Sequence, residues 1–88
     1  MNFTAQIDIL LGILERFQIE IRRENLGGSG GGLCEFRGKQ VFFFDLQSDD
    51  ESTLEKCLEA VAGLPDLDTV FLPPEIRDKL EKMGNTGR

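Results

Sequence analysis

The sequence predicts a single small α+β domain whose elements follow the order αβββαβα. Three segments carry apolar residues at a spacing of three to four positions, which is the pattern of helices that bury one side. Residues 17–24 alternate between apolar and polar, as a half-buried strand does, and residues 40–46 are apolar at consecutive positions. We expect a mixed four-stranded sheet, an antiparallel meander plus one parallel strand, with the helices packed on it.

The first helix is predicted over residues 3–17 and has an unusually broad apolar surface. Asn2 or Thr4 can cap its start, and the sequence leaves both caps open. Its main apolar stripe consists of Phe3, Ile7, Leu10, Leu14 and Phe17, and Ile9, Leu11 and Ile13 widen that stripe. A helix this apolar is either buried on two sides or in contact with a second subunit.

Three strands are predicted after this helix, over residues 17–24, 33–37 and 40–46. A turn at Gly38 joins the last two. The third strand is apolar on both faces, so we place it at the centre of the sheet and expect it to be covered on both sides. The segment Gly27–Gly32, in which five of six residues are glycine, is predicted to connect the first two strands as a flexible hairpin.

The second helix is predicted over residues 48–63, and its start has two alternatives. A capping box fits both Ser48 and Ser52, and acidic residues in the first turn complement the helix dipole. Gly63 and the proline two residues later end this helix.

A fourth strand is predicted over residues 68–72, and a last helix over residues 74–83 begins at Pro74. The strand–helix–strand unit of residues 40–72 predicts a parallel pair with a right-handed crossover. Residues 1–83 then form one domain, and residues 84–88 form a polar C-terminal tail.

Composition excludes several functions. The net charge is −6, from 16 acidic and 10 basic residues, so we expect no binding to nucleic acid or to an anionic membrane. The chain has no histidine, which removes Ser-His-Asp and Cys-His catalysis and most zinc and copper sites. No apolar run reaches the roughly 20 residues of a membrane span. The N-terminus has no secretory signal pattern. We therefore expect a cytoplasmic protein with no cofactor.

The glycine segment is the first candidate site. Its free N–H groups can cradle an anion, as glycine-rich loops do for phosphates, and basic residues just before it can add charge. The segment lacks the Lys-Ser/Thr of a phosphate-binding loop, and a strand follows it in place of a helix. The candidate ligand-binding residues are Arg22, Arg23, Gly28, Ser29, Gly30 and Gly31.

Two further sets of residues can be interpreted either as structural or as functional. Cys34 and Cys57 are either buried reduced thiols or a redox pair, although their separation is not that of a Cys-x-x-Cys motif. Asp45 ends the predicted central strand, where α/β sheets place functional groups, and the acidic residues 49–51 either bind Mg²⁺ or cap the second helix.

The leading hypothesis is a small non-catalytic interaction or regulatory module that self-associates. The excess apolar surface predicts a homodimer, or a complex with another protein, and no residue pattern indicates a catalytic group. The alternative is a protein that binds a small anionic or phosphorylated metabolite through Gly27–Gly32. A third, weaker hypothesis is a Mg²⁺-dependent or thiol enzyme that uses Asp45 or Cys34.

Overall fold

The computed structural model of the chain describes residues 2–28 and 31–84. They form three α-helices and one three-stranded sheet in a single α+β domain. The elements in chain order are α1 (Phe3–Arg16), β1 (Glu20–Glu24), β2 (Gly32–Phe36), β3 (Lys39–Asp45), α2 (Asp50–Ala62), a 3-10 turn (Leu67–Thr69) and α3 (Pro74–Gly84). The predicted α+β class and the three helices are confirmed. The predicted tail begins with the last residue of α3, and residues 85–88 lie outside the described part of the chain.

The sheet has the strand order β1-β3-β2, which corrects the predicted meander. The strand β3 is central, as predicted. It pairs in parallel with β1, with Ile21 opposite Phe42, and antiparallel with β2, with Leu33 opposite the same Phe42. The prediction that β1 and β2 are neighbours is wrong. The two hydrogen-bonded neighbours of β3 are β1 on one side and β2 on the other.

The predicted fourth strand is absent from the described residues. Residues 67–69 form the 3-10 turn, and an extended segment without strand pairing leads from it to Pro74. The expected parallel pairing with β3 is not available, because β1 and β2 already occupy both edges of that strand. The sheet therefore has three strands, not four, and the parallel pair is β1 with β3.

The core lies between the sheet and a layer formed by the three helices. Phe42 is 1% exposed and belongs to the core, together with Ile19 from the chain entering β1. Phe44 and Ile21 pack against the same core. Side chains alternate along a strand, so Val41 and Phe43 lie on the opposite face of β3. The helices cover the face of β3 that carries Phe42. On the other face Val41 is 2% exposed and Phe43 is half-buried, so neither of these apolar side chains is open to solvent.

Helix α1 is buried on two sides within the chain itself. It packs against β1 and α2, and Lys79 Nζ of α3 donates a hydrogen bond of 2.9 Å to Gln6 Oε1. Asn2 caps the start, because its side-chain oxygen accepts from Ala5 N at 2.8 Å. The apolar breadth of α1 is thus satisfied by internal packing, and it does not by itself require a second subunit.

No helix in the described part of the chain combines the length and the apolar character needed to cross a bilayer.

Candidate functional site

The glycine segment is a crossing connection, not a hairpin. β1 and β2 lie on opposite sides of β3, so the chain crosses the C-terminal end of β3 between these two strands. The described residues of this crossing are 25–28 and 31. The strand before the crossing and the residue after β3 are joined by a hydrogen bond from Leu46 N to Glu24 O at 2.9 Å. The connection has to span two strand spacings, roughly 10 Å.

Gly31 shows why glycine is required in this crossing. Its φ is +62°, and a Cβ at this position would overlap the carbonyl oxygen of Phe43 and lie 3.0 Å from the carbonyl carbon. The backbone of the crossing therefore approaches β3 more closely than any side chain allows. The close approach that the glycine content indicated is made to the protein's own central strand.

Asp45 holds the crossing to the end of β3. Its side chain is 1% exposed. One carboxylate oxygen, Oδ1, accepts from Leu26 N at 3.0 Å and from Gln47 N at 2.9 Å. The hydroxyl of Ser48 donates to Oδ2 at 3.3 Å. Hydrogen bonds from several N–H and O–H groups stabilise a buried carboxylate, whereas burying a carboxylate without such donors is costly. These contacts give Asp45 a structural role at the position where the sequence suggested a functional one.

The predicted ligand-binding residues do not converge on one point among the described residues. Arg22 Nη2 lies 3.2 Å from Glu24 Oε2 in an ion pair on the sheet surface. The guanidinium of Arg23 lies 5.4 Å from the ring centre of Phe44, and adjacent strand residues point to opposite faces. Gly28 has a φ of +85° and is exposed.

The N–H groups at the start of the crossing donate within the chain. Leu26 N donates to Asp45, and Gly27 N donates to Asn25 Oδ1 at 3.0 Å. An anion would have to compete with these oxygens and lie close to a buried carboxylate. Ser29 and Gly30 lie outside the described residues, so the anion-binding interpretation of the segment stays a prediction.

The two cysteines occupy different environments and are both free thiols. Cys57 of α2 is fully buried, and this burial raises the pKa of its thiol to about 12. It is therefore protonated at neutral pH and unsuited to nucleophilic chemistry. Cys34 is exposed on β2, paired with Val41 on the face away from the helices. The sheet separates the two thiols, so the redox-pair interpretation is wrong.

The acidic residues after β3 cap a helix. Asp49 Oδ1 accepts from Ser52 N at 2.8 Å, and α2 begins at the next residue. This backbone hydrogen bond, followed by the contact with the Ser52 side chain, lowers the pKa of Asp49. The cap thus lies between the two serines that the sequence offered. The described residues contain no group of three or more Cys, Asp or Glu side chains arranged to hold a metal ion.

The sequence missed the exposed apolar residues of β2. Phe36 is 51% exposed and Leu33 is 38% exposed, and no residue of this strand is fully buried. The sequence did carry a signal. The strand has one charged residue, Glu35, and it lies between the glycine segment and a tight turn, as an edge strand often does.

Comparison with known proteins adds no relative. No family model, no curated protein and no solved structure matches the chain. Function has to be inferred from the contacts described above.

Proposed function

We propose that this chain is a small, non-catalytic interaction or regulatory module of the cytoplasm, and that it self-associates. The observation that carries the proposal is the exposed apolar edge strand β2. Helices pack on one face only, and β2 presents Leu33 and Phe36 to solvent at an open edge. Exposed apolar residues gathered on one strand are typical of a surface that another molecule covers.

The chemistry of the described residues supports a binding role over a catalytic one. The buried thiol of Cys57 is held protonated, and the buried carboxylate of Asp45 accepts hydrogen bonds from the chain's own backbone. The acidic residues that suggested a cation site cap α2. Both cysteines are free, which fits a reducing compartment such as the cytoplasm.

Light scattering after size exclusion, with the protein at tens of micromolar, tests the proposal. We expect a mass of twice the 9.9 kDa of one chain, falling towards the monomer on dilution. A monomer mass across the whole concentration range would refute self-association.

The alternative, a protein that binds an anionic or phosphorylated metabolite, remains a prediction. The described contacts favour a structural role for Leu26, Gly27 and Gly31. A thermal-shift screen with inorganic phosphate and nucleotides separates the two. A rise in melting temperature with an anion, lost when Arg22 and Arg23 are both replaced by glutamine, would favour the alternative.

A further inference from the structure

The two edges of the sheet are protected very differently. In β1, four of the five residues are charged: Glu20, Arg22, Arg23 and Glu24. In β2, one of the five residues is charged, Glu35. Charged side chains on an edge strand discourage pairing with another chain, and an edge without them is a template for strand addition. The open edge for a partner is therefore the β2 edge.

The turn at one end of β2 determines which backbone groups face outward. Arg37 and Gly38 have φ values of +55° and +78°, as in a two-residue type I′ hairpin. In such hairpins the flanking residues, here Phe36 and Lys39, form a hydrogen-bonded pair. Hydrogen-bonded and non-hydrogen-bonded residues then alternate along the strand. The N–H and C=O groups of Leu33 and Glu35 accordingly point away from β3, towards the open edge.

From this edge we infer that two copies of the chain pair through β2, antiparallel and about a twofold axis, with Cys34 opposite the partner's Cys34. The inference rests on the proposed self-association and identifies its interface. It predicts a continuous six-stranded sheet with the order β1-β3-β2-β2-β3-β1.

The register follows from symmetry and charge. In an antiparallel pair, a residue whose N–H and C=O groups point towards the other strand lies opposite another residue of that kind. Such residues alternate along β2 with residues whose groups point towards β3. A twofold axis between two copies therefore passes through a residue of β2 and not between two residues. An axis at Glu35 would oppose two carboxylates, which is unfavourable. An axis at Leu33 would oppose Glu35 to the partner's Gly31, which lies outside β2. An axis at Cys34 uses all five residues of β2.

The side chains complement each other in this register. On the face away from the helices, Phe36 lies opposite the partner's Gly32, and its ring can cover backbone that has no side chain of its own. On the helix side, the partner's Glu35 lies opposite Leu33, beside Lys56 of α2. The Lys56 side chain lines the same surface hollow as Leu33, and it has no ion pair with any residue in the described part of the chain. Each copy thus supplies the Glu35 carboxylate to Lys56 of the other.

Disulfide trapping at Cys34 tests the register directly. Directly opposed residues of a non-hydrogen-bonded pair have Cα atoms about 4.5 Å apart, which is within the range of a disulfide. With diamide as oxidant, each of two Cys34 thiols loses a hydrogen, an S–S bond forms, and diamide is reduced to the hydrazine. We expect a covalent dimer on a non-reducing gel for the natural chain and none for Cys34→Ser. The matched control carries Arg23→Cys in the Cys34→Ser background, which places the thiol on the other edge, and it should stay monomeric on the gel.

A charge exchange tests the same register without cysteine. Leu33→Glu would place a carboxylate opposite the partner's Glu35 twice per dimer, so we expect the dimer Kd to rise by about tenfold. Adding Glu35→Lys to that variant makes both pairs attractive and should restore the dimer. Far-UV circular dichroism checks that each variant is folded. If Leu33→Glu unfolds, Glu35→Lys alone, at an exposed residue, is expected to weaken the dimer through repulsion with Lys56.

The outcomes separate this inference from the proposed function. Dimer mass with no Cys34 cross-link, an equal cross-link in the Arg23→Cys control, or a Kd unchanged by the charge variants would overturn the β2 interface and leave self-association standing. A monomer mass with no cross-link would overturn both.

Discussion

Replacing Gly31 by alanine is expected to destabilise the protein far more than the same change at Gly27. Both residues have positive φ, +62° at Gly31 and +73° at Gly27, where a non-glycine residue costs about 1–2 kcal/mol. At Gly27 nothing lies within 4 Å of the added Cβ, whereas at Gly31 that Cβ overlaps the carbonyl oxygen of Phe43. Forcing packed backbone apart costs about 1–3 kcal/mol more. Alanine also makes the unfolded chain stiffer, which offsets about 0.4–1 kcal/mol in both variants.

We therefore expect losses of about 1 kcal/mol for Gly27→Ala and about 2–4 kcal/mol for Gly31→Ala. Urea unfolding followed by far-UV circular dichroism measures both, because the chain has no tryptophan or tyrosine for a fluorescence signal. The two variants share the conformational term, so their difference isolates the contact with β3. A difference below about 0.5 kcal/mol, the usual error of such comparisons, would refute the close approach of the crossing to the central strand.

Four further predictions concern the helices, the core and the crossing. Asp45→Ala removes the hydrogen bonds that Asp45 accepts from Leu26 N and Gln47 N, both of them part-buried. It should cost about 1–3 kcal/mol by urea unfolding, since each such hydrogen bond contributes about 0.5–1.5 kcal/mol; a loss below about 0.5 kcal/mol would contradict the anchoring role. Gly12→Ala should raise the free energy of unfolding by about 0.5–1 kcal/mol, because Gly12 lies inside α1 and nothing lies within 4 Å of the added Cβ. A lower free energy of unfolding would mean that the space beside Gly12 is occupied. Phe42→Ala should cost about 3–5 kcal/mol and at least twice as much as Phe43→Ala, because Phe42 is in the core and Phe43 is half-buried on the face away from the helices. Equal losses would mean that Phe43 is packed as tightly as Phe42. Burial raises the pKa of the Cys57 thiol from 9.0 to about 12. Its contribution to the free energy of unfolding is therefore fully present below pH 9 and is lost as the pH rises towards 12, by about 1.4 kcal/mol per pH unit; the same loss of stability in Cys57→Ala would assign it to other groups.

The helices and the central strand could be predicted because their signals are local. The apolar stripe and the Asn2 cap indicate α1 within its own residues, and the observed helix ends one residue before the predicted end. The consecutive apolar residues of β3 indicate a central strand whatever its neighbours are. The end of α1 carried a weaker signal, since Gln18 has a φ of +64° where glycine is the usual residue.

The strand order could not be predicted because pairing is a property of distant residues. Strands that follow one another in the chain are usually neighbours in the sheet, which favoured a meander. The strands β2 and β3 do pair in this way, as an antiparallel hairpin. No feature of the β1 residues indicates that this strand pairs with β3 and not with β2. Residues 68–72 have the composition of a strand, yet β3 has no free edge for them to pair with. The prediction of a strand there is wrong, because β1 and β2 occupy the two edges of β3.

The sequence by itself determined the class of the domain, its three helices, the central place of β3, and the exclusion of histidine chemistry. These depend on periodicity and composition, which act over a few residues. Only the tertiary structure decided what the glycine segment does. Glycine has no side chain, so a glycine can lie close to other backbone wherever the fold places it. Here the fold places Gly31 against the carbonyl of Phe43 at the end of β3, where Asp45 accepts a hydrogen bond from Leu26 N. The same strand order leaves β2 at an open edge, because a sheet of three strands has two edges and the charged residues lie on the other one.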